Sequence, residues 1–312
     1  MRRFFELLSK DPAALGAFAV LVILAVIALL SLALGSLDPN EQQLGQRLQP
    51  PIWAGGSGRH VLGTDSLGRD LAARLIHGTR LSLLIPIAAV AIAGSLGTVL
   101  GLIAGFYGGK ADALIMRVVD AKMAFSNLLL IVVVTIMIGF GVQTLIIVFG
   151  LTGWVLFTRV VRGMGLALRE APFVQAARCT GCRDSRILLA HVLPTTIPVI
   201  VSLAVIDIGR FMIAEAGLSF LGFGVQPPDL SWGLVLEEGR QYLSVAVWIV
   251  ALPGIAISVS VLAVTIFGAW LRSTTDPLRR HVPSGTVIKA RALLESQLGE
   301  TKSGIEETGV PA

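Results

Sequence analysis

The sequence predicts an all-α integral membrane protein of six transmembrane helices with both termini cytosolic. Three observations carry that prediction. Hydrophobic residues make up 54% of the 312 and charged residues only 14%, where globular chains are roughly one-quarter charged. Mean hydropathy is +0.80. Whole windows of twenty or more residues hold no charge, the length a helix needs to cross a bilayer.

Residues 1–14 form a basic N-terminal segment containing Arg2, Arg3 and Lys10. The first span is 15–34, an uncharged run too long for the apolar core of a signal peptide. Residues 35–80 are polar and turn-rich, a segment expected on the far side of the membrane. Leu81 to Phe106 is the second span, and Gly97, Gly101 and Gly105 line one smooth helix face within it. The third runs from Leu114 to Gly139 and the fourth from Val142 to Thr158. Residues 164–195 form a long polar loop. Apolar sequence resumes from Ile197 to Phe223 as the fifth span, and Ser244 to Leu271 is the sixth. The polar tail 281–312 mixes Gly, Ser, Glu and Lys, a composition that buries little, with a short helix expected over 287–297.

Charge placement orients these spans. Seventeen of the 25 basic residues fall in the N-terminal segment, the 110–117 connection, the 159–186 loop and the tail. The alternate segments carry six, Arg47, Arg59, Arg69, Arg74, Arg80 and Arg240, offset by acidic neighbours. Cytosolic segments retain Lys and Arg, so this asymmetry places the basic set in the cytosol. The net charge of +5 is therefore topological, since no groove-sized basic patch with interleaved aromatics points to nucleic acid.

The long loop is the anomaly, because membrane helices are mostly joined by short connections. Pro172 suits a first helical turn, Ala176 and Ala177 favour helix, Gly181 suits a left-handed C-cap and Pro194 can open a further helix. Two short helices hinged at Gly181 are expected. Here Gln175-Ala176-Ala177, then Gly181, then Leu193-Pro194 resembles the cytosolic signature of the permease subunits of binding-protein-dependent ABC importers, with Gln in place of the usual Glu. A broader match resembles the dipeptide/oligopeptide branch, in its DppC/OppC-type subunit. It includes Gly63-Thr-Asp-Ser-Leu-Gly-Arg-Asp70, Tyr107-Gly-Gly109, the run from Glu215 to Pro228, and Ser231-Trp-Gly233. Ser126, Thr195 and Gly268-Ala269 depart from that pattern.

The resemblance implies the type I ABC importer permease fold in the bacterial inner membrane. It implies import of di- or oligopeptides by alternating access, or of nickel chelates, glutathione or another small solute by the same machinery. The implied partners are a second homologous permease subunit (DppB/OppB-type), two ATPase subunits that bind ATP and Mg, an extracytosolic peptide-binding protein, and lipid. Gln175, Ala176, Ala177, Arg178, Gly181, Arg183, His191 and Pro194 are the residues implied to dock on an ATPase.

The chain itself contains no Gly-x-x-x-x-Gly-Lys-Ser/Thr phosphate loop, so no cofactor is expected in it and ATP is expected to be handled elsewhere. No Ser-His-Asp or His-Glu-x-x-His spacing supports an enzyme. Cys179 and Cys182 read as small helix-face residues and not half a zinc site, and His60 and His77 stand without a metal-ligating cluster. Charges inside spans demand partners or water. Asp207 and Arg210, three apart on one helical face, either neutralise each other or line a wet pathway with Glu215 and Asp120. Asp120 and Lys122 sit where they can snorkel. A carrier working alone would use Asp207, Arg210 and Glu215 as an ion relay. The Gly63–Asp70 stretch reads as a structural turn, and Trp53, Trp232 and Trp248 as interfacial anchors.

Overall fold

A computed structural model describes residues 6–33 and 38–275. The short helix expected over 287–297 lies outside them. Among the described residues, five helices are long and apolar enough to cross a bilayer, and a bent pair supplies a sixth crossing when counted as one span.

Helix α1 (Pro12–Ala33) starts where Asp11 accepts the Ala13 and Ala14 backbone N–H groups. Helix α2 (Leu71–Tyr107) begins ten residues before the expected Leu81. The cause is Asp70, whose carboxylate accepts the N–H groups of Ala72 and Ala73 at 2.7 and 3.1 Å and so starts the helix ahead of the apolar run. At 37 residues, α2 is about 55 Å long, well beyond the hydrocarbon thickness. The final ten residues of the 35–80 segment are thus helical.

The third span is not one helix. Helices α3 (Gly109–Met123) and α4 (Asn127–Ile138) meet at 87°. Ser126 is extended, with φ −61° and ψ 127°, so it ends the first helical path and opens a second one. Helix α5 (Val142–Arg169) runs eleven residues past the expected Thr158. After α6 (Pro172–Cys179), a short helix α7 (Asp184–Ile187) passes through a π-turn at Leu188–Val192 into α8 (Leu193–Phe220). Helix α9 (Trp232–Gly239) precedes α10 (Trp248–Thr275).

Helix α2 is the centre of the bundle, touching α1, α5 and α8. Its glycine face lies on α5. A Cβ at Gly97, Gly101 or Gly105 would sit 2.5, 2.7 or 2.5 Å from the carbonyl oxygens of Trp154, Thr158 and Arg162. The two backbones therefore touch, which suits a bundle in lipid where dispersion replaces the hydrophobic drive. Helix α1 packs outside on α10, with the Phe18 and Phe267 rings 5.6 Å apart. Ion pairs Asp112–Arg162 and Asp120–Arg159 tie α3 to α5.

The expected interfacial role of Trp232 is corrected. Its side chain is buried, its indole N–H donates to Leu75 O at 2.9 Å, and its backbone N–H donates to Ser82 Oγ at 2.9 Å. Trp232 pins α9 to α2, whereas Trp53 is exposed and Trp248 half-buried.

Candidate functional site

Two features stand out, an exposed helical elbow at 172–194 and a cavity beside the broken span. In the elbow, Gly181 adopts φ +79° and closes α6 by two reversed hydrogen bonds, Gly181 N–H to Arg178 O and Cys182 N–H to Ala177 O. Glycine reaches that conformation without Cβ strain, so the expected left-handed cap is present. Val174 anchors α6 in an apolar cluster with Leu102, Phe106, Val161, Ile187 and Val192. Arg178 lies over the Phe106 ring at 5.2 Å and reaches Asp184 at 3.3 Å. Gln175, Ala176, Arg178, Gly181, Arg183, His191 and Pro194 are exposed, while Ala177 is half-buried against the cluster.

The second half of the elbow differs from expectation. Pro194 does not open a separate helix, because the π-turn absorbs the extra residue and carries α7 into α8 without a gap. One helical body of 37 residues, Asp184–Phe220, results. Cys179 is exposed and Cys182 half-buried, both as free thiols. No group of three or more His, Cys, Asp and Glu that could hold a metal occurs among the described residues.

The cavity, about 740 Å³, opens where α3 breaks into α4 and is walled by α5 and α8. Its lining is mostly apolar, including Phe125, Ile131, Phe211 and Leu218, with Lys122, Arg159, Asp207 and Arg210 as its charged members. Asp207 is 1% exposed and its Oδ1 accepts from Arg210 at 2.6 Å, whereas 57% of the Arg210 side chain is open. Arg159 is paired with Asp120 at 2.9 Å. Lys122 donates to the neutral Asn127 Oδ1. A concave, apolar space with a few convergent polar groups is the usual form of a small-ligand site.

The residues that build both features fall within the stretch 97–277 that matches the family model of the binding-protein-dependent transport system inner membrane component. The chain belongs to that family. Over 278 residues the permease is 37% identical to the di/tripeptide transport system permease protein DppC of Pseudomonas aeruginosa, covering 89% of this chain and 92% of that one. It is 36% identical over 276 residues to the glutathione transport system permease protein GsiD of Pectobacterium atrosepticum, covering 88% and 90%. It is 37% identical over 261 residues to the nickel transport system permease protein NikC of Escherichia coli K12, covering 84% and 92%. The permease is thus an inner-membrane component of a binding-protein-dependent ABC import system.

Of the four expected pathway residues, the permease brings Asp207 and Arg210 into the cavity. Asp120 stays at its edge through Arg159. Glu215 lies away from it, fully buried, where Oε1 accepts from Ser219 Oγ and Ser231 Oγ, each at 2.8 Å. Those bonds fasten α8 to the start of α9. Lys122, expected only to snorkel, is a cavity residue, and the polar Ser126-Asn127 pair inside an apolar run was the available signal.

At the end bearing residues 38–70, the permease has a second set of charges. Asp65 Oδ2 accepts from Arg69 Nε at 2.5 Å and from Arg74 NH1 at 2.6 Å, and Glu238 Oε2 meets the same two arginines at 2.7 and 2.6 Å. Burial pushes the Asp65 carboxyl up, but the Arg69 charge, the Arg69 backbone N–H and Arg74 outweigh it and hold it below the usual carboxylate value. His60 bridges Asp70 Oδ2 and Gln46 Oε1. The Gly63–Asp70 turn therefore knots loop, α2 and α9 together.

Proposed function

We propose that this chain is the transmembrane subunit of an ATP-driven importer that moves di- or oligopeptides across the inner membrane by alternating access. A second homologous permease subunit would complete the pore, two ATPases binding ATP and Mg would dock on the basic, N- and C-terminal side, and an extracytosolic peptide-binding protein would deliver cargo. The observation that carries this reading is the exposed α6 elbow joined by one uninterrupted helix to the cavity. The elbow offers Gln175, Ala176, Arg178, Gly181 and Arg183 to a partner, and the α7–α8 body reaches Asp207 on the cavity wall. A displacement of docked ATPases would then tilt the cavity lining. Gln175 keeps an amide bonded to Glu170 O at 3.2 Å, so its side chain supports the start of α6.

The test is reconstitution of the complex in liposomes with Gly181→Trp. A bulky indole in the αL cap should abolish ATP-coupled uptake. Unimpaired assembly and uptake would defeat the coupling assignment, and uptake by this chain without ATPases would show a stand-alone carrier.

A second reading keeps the machinery and changes the cargo. It is favoured by the nickel and glutathione permeases, which are as similar to this chain as the peptide permease is. Titrating the copurified binding protein with dipeptides, nickel chelates and glutathione decides between the cargoes.

A further inference from the structure

We propose that the end of the cavity beside the broken span is an anion subsite that takes the C-terminal carboxylate of the transported peptide, received by Lys122, Arg210 and the N-terminus of α4. This inference rests on the peptide reading above and deepens it.

Three observations converge. First, the charged lining is three cations against one carboxylate, and among the described residues Lys122 is the cation of the three with no carboxylate partner. Lys122 and Arg210 line the same cavity, and like charges sharing a largely apolar space are stabilised by an anion there. Second, α4 begins at the cavity. Phe125, Asn127 and Leu128 line it, and Ser126 makes no side-chain cap. The first N–H groups of a helix have no intrahelical acceptor and carry the positive end of its dipole. The N-termini of interrupted helices suit anionic substrate groups. Third, Asp207 is buried and its Oδ1 accepts from Arg210 NH1 at 2.6 Å. Asp207 is then a positioning residue. It fixes a guanidinium whose outer edge remains open, and the apolar walls of Phe211, Leu218 and Ile131 are left to side chains of the cargo.

An acidic side chain from the second permease is the competing occupant. A concave space of about 740 Å³ favours a small ligand over a single side chain, since ligand sites commonly enclose about 300 to 1,000 Å³.

The experiment uses the assembled complex in nanodiscs, without nucleotide or binding protein, so that cargo selection upstream cannot intervene. Saturation-transfer NMR compares alanyl-alanine with alanyl-alanine amide. The wild-type complex should prefer the free acid by roughly ten- to a hundredfold, as expected for charge-assisted hydrogen bonds. Lys122→Gln/Arg210→Gln should erase that preference, and Arg210→Lys should retain part of it. Equal binding of acid and amide by wild type, or an undiminished preference in the double variant, overturns the proposal. If the double variant no longer copurifies with the second permease, the cations serve the subunit interface and the proposal also falls. Peptide uptake by the wild-type complex with its binding protein is measured alongside. Normal peptide uptake with no acid preference removes only this subsite, whereas absent peptide uptake removes the peptide reading itself.

Discussion

Single side chains decide more here than their number suggests. Asp65 is the clearest case, because it is 2% exposed and balances two arginines that are themselves buried. Removing one partner of a buried ion group typically costs about 3 to 5 kcal/mol, since it strands the opposite charge. Asp65→Asn should therefore lower the melting temperature of the purified complex sharply, and Asp65→Asn/Arg74→Met should recover part of the loss. The pH dependence has a fixed sign. A carboxyl held below its unfolded value contributes stability that is complete above about pH 4 and is lost as pH falls through the lower folded value. Melting scans from pH 8 to 5 should show no change attributable to Asp65, with its loss confined to stronger acid. A further case is Gly101, where a side chain would meet Thr158 O at 2.7 Å and Val161 Cβ at 2.8 Å. Neither backbone nor a branched Cβ yields cheaply, so Gly101→Val should cost about 1 to 3 kcal/mol or more, read as a lower detergent melting temperature. Glu238's place in this set was not legible in sequence, because it lies 169 residues from Arg69.

At the scale of elements, legibility followed the kind of signal each one leaves. Helices α1, α2, α5, α8 and α10 announce themselves by uncharged apolar runs, and Gly181 announces the end of α6 by its backbone freedom. The start of α2 was missed because hydropathy ignores Asp70, although a carboxylate followed by Leu-Ala-Ala is a capping signal. The break between α3 and α4 was missed because Arg117, Asp120 and Lys122 read as the charged first turns of a single span and the polar Ser126-Asn127 pair was passed over. The π-turn at Leu188–Val192 leaves no compositional trace at all. Of the site, the elbow residues were legible from their spacing, and the Asp207–Arg210 pair from its i,i+3 placement, but the cavity was not, since it is made by a bend. Gly181→Ala tests the elbow more gently than Trp. A Cβ at φ +79° costs about 1 to 2 kcal/mol, so uptake should fall with assembly retained, and Gly181→Asn, which tolerates this region better, should fall less. Equal uptake by all three proteins would show that cap geometry does not limit coupling.

For the whole molecule, orientation and incompleteness are the testable properties. Cys179 is an exposed thiol on the elbow, and both cysteines of the chain are close to it. A membrane-impermeant maleimide should label the protein in inside-out vesicles stripped of ATPases and should not label it in spheroplasts. Restoring the ATPases should protect it. Labelling from the outer face would reverse the proposed topology. The face around the cavity also carries Leu128, Leu129, Ile136 and Met137, all more than half exposed, which suits a subunit that completes its surface against lipid and a second permease.

The welded seam of α2 and α5 has a mechanical corollary. Two helices in backbone contact through Gly97, Gly101 and Gly105 cannot slide past one another without separating, so they form a fixed post. In the proposed coupling the α7–α8 body would be the connecting rod, about 35 Å from Asp184 to Asp207, with irregular joints at its π-turn and at Pro198. Under the proposed coupling, force entering at the elbow would reach the cavity through one continuous helical body, with the π-turn and Pro198 as the places where it could be absorbed.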